Sequence, residues 1–456
     1  MITKLIRQQK EYFKTGKTKN VLYRKNLLKK LLKELVANEN QITEALYKDF
    51  KKPEFESVLT ETAIVIQDLK HTIKKLNSWA KPKRIMPSLL NFPSSDYLYS
   101  EPYGAVLIIA PWNYPYQLAL APLVGAIAAG NTVVLKPSEL TPNTSTIINQ
   151  IITTVFPPEI ATVIEGGVEV STELLTQQWD YIFFTGSVNV GKIVAKAAAV
   201  HLTPTTLELG GKNPCIIDAS ANIKLTAKRL VWGKFLNAGQ TCIAPDYILI
   251  DQSKKEDFYK AMKTEVEIAY SSTPQQSKDF ARIINDKNFE RLSKMLIDEN
   301  CIIGGQTNAE SLYIAPTVID EPQLDSEVMK DEIFGPILPV ISYQNEKDLE
   351  RIIGSYDKPL SLYVFGTNSA KAKQLIQKFS FGGGCINDTI IHFANHRLPF
   401  GGIGNSGVGA YHGQHTFDTF SHKKGIVKKG NWLDLPMRYA PYKGKLNFIR
   451  KVFKWL

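Results

Sequence analysis

Only four cysteines occur in 456 residues: Cys215, Cys242, Cys301 and Cys385. They are too scattered for a paired metal knuckle or a disulfide framework, and they fit a reducing compartment in which a reactive thiolate survives. No run approaches 18 apolar residues free of charge, so a membrane-spanning helix is not expected. The opening MITKLIRQQKEYF is charged throughout and lacks an apolar core before a small-residue cleavage site, so it does not read as a signal peptide. Acidic residues are in the minority, 44 against 55 Lys and Arg, for a formal net charge of +11. The lysines are spread over helical polar faces rather than gathered in a patch, which argues against nucleic acid as a partner. Internal repeats and low-complexity tracts are absent as well. What remains is the composition of an ordinary globular protein, 44% hydrophobic and 22% charged, in a chain too long for one core. Two or three domains are expected.

The first eighty residues read as helices. Leu27, Leu28, Leu31, Leu32, Leu35 and Val36 recur at three- and four-residue steps among lysines and make one apolar stripe. The same period runs from Pro53 to Trp79, with Glu54 and Glu56 in the first turn, a favourable helix start. From Lys81 to Pro93 the period breaks, and SDYLYSEPYG then alternates like an exposed strand in need of a partner. Short β-rich runs follow at 105–110, 132–135, 161–164 and 181–184, separated by small-residue or amphipathic segments. Buried strands alternating with helices indicate a parallel sheet covered on both faces. The alternation restarts after Cys242. A strand at 247–250 precedes charged helices at 254–268 and 280–300 and a strand near Leu312. A strand at 337–343, a helix at 346–353 and a strand at 360–366 complete it. The fold class is therefore α/β, with two parallel-sheet domains. The interval from Glu208 to Cys242 crosses their junction, where a ligand cleft would form.

Within that interval two side chains carry chemistry. Cys242 has Gly239, Gln240 and Thr241 before it, a polar and permissive approach rather than core. Cys215 and Cys385 read instead as small buried hydrophobes, and Cys301 as an inert residue opening the strand-like CIIGG. Glu208 lies between Leu207 and Leu209, an apolar setting that lifts a carboxyl toward neutrality and suits a general base; a helix cap or ion pair is the alternative. An acid that draws a proton from water and a thiol that attacks carbon are what a covalent route through a thioester needs. GSVNVG has the spacing G-x-x-x-x-G with no lysine–hydroxyl pair after Gly191, so it is neither the usual dinucleotide fingerprint nor an ATPase phosphate loop. His396, His412 and His415 have no carboxylate or cysteine cluster beside them, and no metal site is expected.

LELGGK at 207–212 and GQTC at 239–242 resemble the active-site signature of the NAD(P)-dependent aldehyde dehydrogenases. PWN at 111–113, KPSE at 136–139, FFTGS at 183–187, EIFGP at 332–336 and the glycine-dense run at 398–413 appear in that family's order. The match extends to about Lys424 and looks most like the class 3 branch, whose substrates are fatty or aromatic aldehydes. The resemblance implies Cys242 as nucleophile, Glu208 as base, and Asn113 as oxyanion donor beside the backbone N–H of the nucleophile. It implies Lys136 and Glu139 at the adenosine ribose. Thr185, Gly186, Ser187 and Gly191 would form the diphosphate turn, and Glu332 and Phe334 would face the nicotinamide ribose and ring. Glu139 would repel a 2′-phosphate, so NAD is the expected cofactor, with NADP as the alternative. Residues 1–80 and 104–208 would form the cofactor domain and 209–397 the catalytic domain. A small oligomerisation sheet would come from 81–103 and 398–424, in a cytoplasmic homodimer. A CoA-acylating dehydrogenase and an inactive scaffold of the same fold are the competitors, and the presence of Glu208 weighs against the first.

The basic tail, 425–456, is the most individual part. After Phe420 it carries ten Lys and Arg against the single acid Asp434. From Leu446 to Leu456 it sets Phe448, Ile449, Val452, Phe453, Trp455 and Leu456 around Arg450, Lys451 and Lys454. Either it packs on its own subunit or on the dimer partner, or it lies weakly on an anionic membrane with Trp455 at headgroup depth.

Overall fold

Alternate residues of the strand Ala105–Ile109 point to opposite faces of one sheet, and both faces are covered. Val106 and Ile108 join the larger core with Val133, Leu135 and the N-terminal helices. Ala105, Leu107 and Ile109 pack on the other side with Ile2, Ile6, Trp179, Val194 and Ala198. The computed structural model describes residues 2–454. Its first sheet has six strands, in the order Gly407–Val408, Thr205–Glu208, Tyr181–Thr185, Ala105–Ile109, Thr132–Lys136 and Ala161–Val163. All pairs are parallel except the first. Parallel register brings Ile109 beside Lys136 and Thr185 beside Glu208, so the segments that follow these strands leave from one edge.

The second sheet has seven strands, in the order Cys301–Ile303, Thr317–Asp320, Ile337–Tyr343, Tyr247–Asp251, Pro214–Ile217, Ser361–Phe365 and Gly383–Ile386. Only the outermost, Cys301–Ile303, runs antiparallel. Five residues separate Glu208, last in its strand, from Pro214, first in the next sheet. That crossing is fastened by Lys212, whose buried ammonium meets Asp246 Oδ2 at 2.7 Å and the carbonyls of Val328 and Asp331 at 3.0 and 2.8 Å.

The helix Gln117–Ala129 is apolar all round and buried at every residue, lying between the first sheet and the N-terminal helices. Gly125 lets Thr416 approach it, since a Cβ there would stand 2.2 Å from the Thr416 methyl. The leucine stripe of the helix Val21–Ala37 packs on this core through Leu27, Leu28, Leu31 and Leu35; Val36 is exposed.

Two expectations change. The helix expected from Pro53 to Trp79 is interrupted by one π turn at Val58–Thr62, so Glu56 and Glu61 are both buried. The helix expected over 280–300 is confined to Asp286–Lys294. Before it, 280–284 runs past the Cys242 loop, with Ile283 N–H donating to Leu312 O and Ile284 N–H to Gln240 Oε1. The strand that read as needing a partner, Ser94–Pro102, has two: it is central in the expected small sheet, three-stranded and antiparallel, between Lys83–Ile85 and Ser421–Lys429.

Beyond that sheet Trp432 packs edge-on against Phe92, while the helix Leu446–Phe453 has no buried residue. Trp455 and Leu456 lie outside the described residues. No helix among those described is long and apolar enough to cross a membrane.

Candidate active site

A cavity of about 680 Å³ opens past the carboxyl edge of the six-stranded sheet and reaches the second sheet. Cys242, Glu208, Asn113, Thr185, Gly186, Ser187, Glu332 and Phe334 all line it. Gly191 stands one turn into the helix Val188–Val200 instead, where a Cβ would lie 2.6 Å from Leu209 Cδ2. Lys136 and Glu139 form an ion pair of 2.5 Å at the next strand end, outside this lining.

Cys242 is half-buried, in a loop tied down at several points. Asn213 Nδ2 donates to Cys242 O at 2.7 Å and to Ala244 O at 3.0 Å, and Tyr363 O–H donates to Ile243 O at 2.6 Å. Burial raises the thiol pKa above its ordinary value, and the nearby carboxyls Glu332 and Glu208 raise it further. Backbone N–H groups of Cys242 and Ile243 turn toward the sulfur and oppose that rise. The resting thiol therefore keeps its proton at neutral pH. Gln240 and Thr241, expected as an open polar approach, are both buried. Gln240 spends its side chain on Asn237 O and Arg282 O at 3.1 and 3.0 Å and on Ile284 N–H. Its polarity holds the loop and does not face solvent.

Glu208 ends its strand 3% exposed, with neither carboxyl oxygen hydrogen-bonded. Burial lifts its pKa well above the carboxylate range, the condition of an acid kept neutral until it takes part in a proton transfer. Glu332 is a second such group. Its Oε2 would lie 1.9 Å from a Cβ at Gly210, so only glycine lets it in. Burial and the Asp246 charge push it up to about 8, against the Gly211 N–H and the cations Lys212 and Arg291. Phe334 holds a left-handed φ of 52° and packs edge-on against Trp112 at 5.3 Å. Asn113 Nδ2 donates to Gln240 O at 3.1 Å, which fixes the amide at the cavity wall.

On the cofactor side, Ser187 caps the helix Val188–Val200 by accepting from Val190 N–H at 3.4 Å. Thr185 Oγ1 is buried without a partner just before it. A Cβ at Gly186 would strike the Phe184 ring at 2.5 Å. An unfilled hydroxyl, a helix N-terminus and a bare backbone fit a dinucleotide diphosphate. Among the described residues no group of three His, Cys, Asp or Glu gathers as metal ligands.

Sequence reasoning passed over the supports. Cys385, expected as buried core, is half-buried, with Sγ 3.5 Å from His392 Nδ1. Lys52 and Glu61 form a fully buried ion pair of 2.6 Å, with Lys52 Nζ 4.0 Å over the Tyr114 ring. Glu56 accepts from Asn237 N–H at 2.9 Å. Acids at 56 and 61 sit five apart, the spacing of a π turn, and that was the only available signal.

A family model described as "Aldehyde dehydrogenase family" matches residues 1–426. The chain is 47% identical to 4,4'-diaponeurosporen-aldehyde dehydrogenase of Staphylococcus aureus, over 98% of this chain and 97% of that one. It is 40% identical to the dimeric NADP-preferring aldehyde dehydrogenase of Rattus norvegicus, over 98% and 99%. Several further relatives are named as family 3 aldehyde dehydrogenases. A solved structure, the substrate-bound state of Staphylococcus aureus AldH, superposes with a TM-score of 0.98 at 46% identity, covering 99% of each chain.

Proposed function

The chain belongs to the aldehyde dehydrogenase family, and we propose that Cys242 is the nucleophile with which it oxidises aldehydes. The activity is NAD(P)-dependent conversion of an aldehyde to its carboxylic acid by a cysteine-based mechanism, in the class 3 branch. The observation that carries the assignment of residues is the single cavity shared by the Cys242 thiol, the unpartnered Glu208 carboxyl and the fixed Asn113 amide.

Cys242 gives its proton up to solvent and its sulfur adds to the aldehyde carbon. The oxygen that gains charge is met by Asn113 Nδ2 and the Cys242 N–H, donors aimed before the charge appears. Bound NAD(P) supplies the hydride acceptor, and oxidation leaves a thioester on Cys242. Glu208, once its own proton has passed to solvent, takes a proton from water as that water attacks the thioester, and it returns this proton to the departing Cys242 sulfur as the acid leaves. A base positioned for water favours hydrolysis over transfer to a thiol cosubstrate. Thr185, Gly186, Ser187 and Gly191 would hold the diphosphate, Lys136 and Glu139 the adenosine ribose, and Glu332 with Phe334 the nicotinamide end.

Trp112, Tyr114, Trp232, Ile390, Phe393 and Phe400 give the cavity an apolar wall, which supports medium- or long-chain aliphatic and aromatic aldehydes as substrates. The aldehyde named for the Staphylococcus aureus relative belongs in the same screen. Residues 1–80 with 104–208 are assigned to cofactor binding, 209–397 to catalysis, and 81–103 with 398–424 to a homodimer contact. The protein is assigned to the cytoplasm. The exposed helix Leu446–Phe453 and the basic tail support weak peripheral contact with anionic membrane. The test is turnover of aldehydes of graded length with both cofactors, beside Cys242→Ala. Efficiency should rise with apolar length and vanish in the variant; turnover by Cys242→Ala would contradict the assignment.

A further inference from the structure

Three successive residues before the nucleophile, Asn237, Ala238 and Gly239, have left-handed backbone, with φ of 56°, 52° and 73°. Glycine adopts this at no cost, but Asn and especially Ala do not, so something outside the turn must hold it. At Gly239 the chain cannot relax sideways, because a Cβ there would meet Gly335 O at 2.2 Å.

The holding group comes from 181 residues away. Glu56, in the short helix Glu54–Ser57 and 7% exposed, accepts from Asn237 N–H through Oε2 at 2.9 Å. Asn237 passes the constraint on, since its Nδ2 donates to Asn113 O at 2.9 Å and to Gln240 O at 3.1 Å. Gln240 O also receives the Asn113 side-chain amide. One turn later on the same helical stretch, Glu61 Oε2 accepts from the N–H groups of Tyr116 and Gln117 at 2.9 and 3.2 Å. Tyr114 OH stands 2.6 Å from Thr241 Oγ1 and closes the ring between the two loops. Glu61 lies within the π turn Val58–Thr62, which begins two residues after Glu56, and such turns recur at functional sites.

We propose that Glu56 is a positioning residue for aldehyde oxidation: it holds the left-handed turn Asn237–Gly239, and through it sets the Asn113 amide against the Cys242 sulfur. The proposal rests on reading Cys242 and Asn113 as the nucleophile and the oxyanion donor. Glu56 touches neither substrate nor cofactor. Its loss therefore moves the chemical step and leaves cofactor affinity alone, whereas a carboxyl that merely served the fold would move stability and both kinetic constants together.

The test compares Glu56→Ala, Glu56→Asp and Glu56→Gln, with Cys242→Ala as a control on the site itself. Gln keeps an acceptor at the same reach; Asp keeps the charge one methylene short. A displacement near 1 Å lowers rates by about 100-fold. The expected kcat loss is therefore about 100-fold for Ala, about tenfold for Asp and under about threefold for Gln, with KM for NAD(P) within about twofold throughout. Placing Gly at 238 eases the demand for an outside hold by removing the costlier of the two strained residues. Glu56→Asp should thus lose less kcat in an Ala238→Gly background, measured against Ala238→Gly alone, than in the wild-type background. That comparison decides the matter even if Glu56→Ala fails to fold. The proposal is overturned if Glu56→Asp and Glu56→Gln lose kcat equally, or if the Asp loss is the same in both backgrounds. It is also overturned if any loss is matched by a rise in KM for NAD(P). If Cys242→Ala turns over, the site reading fails and takes the proposal with it; if that control is inactive, failure belongs to Glu56 alone.

Discussion

Replacing Glu139 with Gln tests the ribose end of the site. Glu139 keeps 41% of its side chain exposed and pairs at 2.5 Å with Lys136 Nζ, which is 4% exposed. A doubly charged 2′-phosphate brought within about 4 Å of that carboxylate meets about 2 kcal/mol of repulsion in a water-like dielectric. The Lys136 ammonium, held against the same carboxylate, offsets roughly half of it. About 1 kcal/mol remains, roughly a fivefold preference for NAD over NADP in kcat/KM. Glu139→Gln removes the repulsion while Lys136 stays. The full 2 kcal/mol or so of repulsion goes, so NADP efficiency should rise roughly 30-fold, and NAD efficiency should fall a few-fold as a charged hydrogen bond to ribose hydroxyl becomes a neutral one. Steady-state kinetics with both cofactors at low ionic strength measures this, and the gap should narrow in high salt because the group is exposed. An unchanged NAD/NADP ratio in the variant, or equal efficiency in the unmodified enzyme, would show that the carboxylate does not face the 2′-position.

Glu208→Gln should leave the fold intact, because the carboxyl has no hydrogen bond to lose, and rapid mixing should show one burst of NADH per site followed by turnover reduced 100-fold or more. Steady turnover near wild type would remove Glu208 from the role of base. The buried carboxyls should make stability without cofactor fall as pH rises from about 4.5 to about 8. Burial lifts Glu56 and Asp68 to about 7 and Glu332 to about 8, so their contribution is complete below the unfolded carboxyl value and lost as pH rises through these figures. His392 and His412, lowered by burial to about 4 and about 3, have the opposite sign and cut stability only as pH falls below 6.5. Above pH 6.5 only the carboxyls act, so calorimetry should show Tm falling from pH 6.5 to about 8, and a flat profile over that interval would contradict the buried neutral carboxyls. Ending the chain at Lys445 should abolish salt-sensitive co-sedimentation with anionic vesicles, and equal pelleting of both forms would leave the tail without a membrane role.

Sheet strands and the nucleophile loop were legible for different reasons. Val106, Leu107 and Ile108 had to be buried on two faces, and an unbroken apolar run between turn signals says so without any knowledge of partners. The motifs around Cys242 and Glu208 are local in sequence, so their resemblance to a family could be read directly. The supports are not local. Gln240 looked like an open approach because its three partners, Asn237, Arg282 and Ile284, include two that arrive from 42 to 44 residues away. Glu56 read as a favourable helix-start charge, which it also is, and only the tertiary structure turns it toward Asn237. The segment 280–284 read as helix because its apolar spacing suits one, yet its N–H groups are claimed by Leu312 O and the Gln240 side chain.

Cys242 as the atom that carries the acyl group is the central claim, and quenched turnover of the Glu208→Gln variant tests it most directly. Stopped in acid after the NADH burst and digested, the protein should yield one modified peptide, containing Cys242 and heavier by the aldehyde less two hydrogens. The same adduct on Cys385, Cys215 or Cys301, or a burst with no adduct on any cysteine, would contradict it.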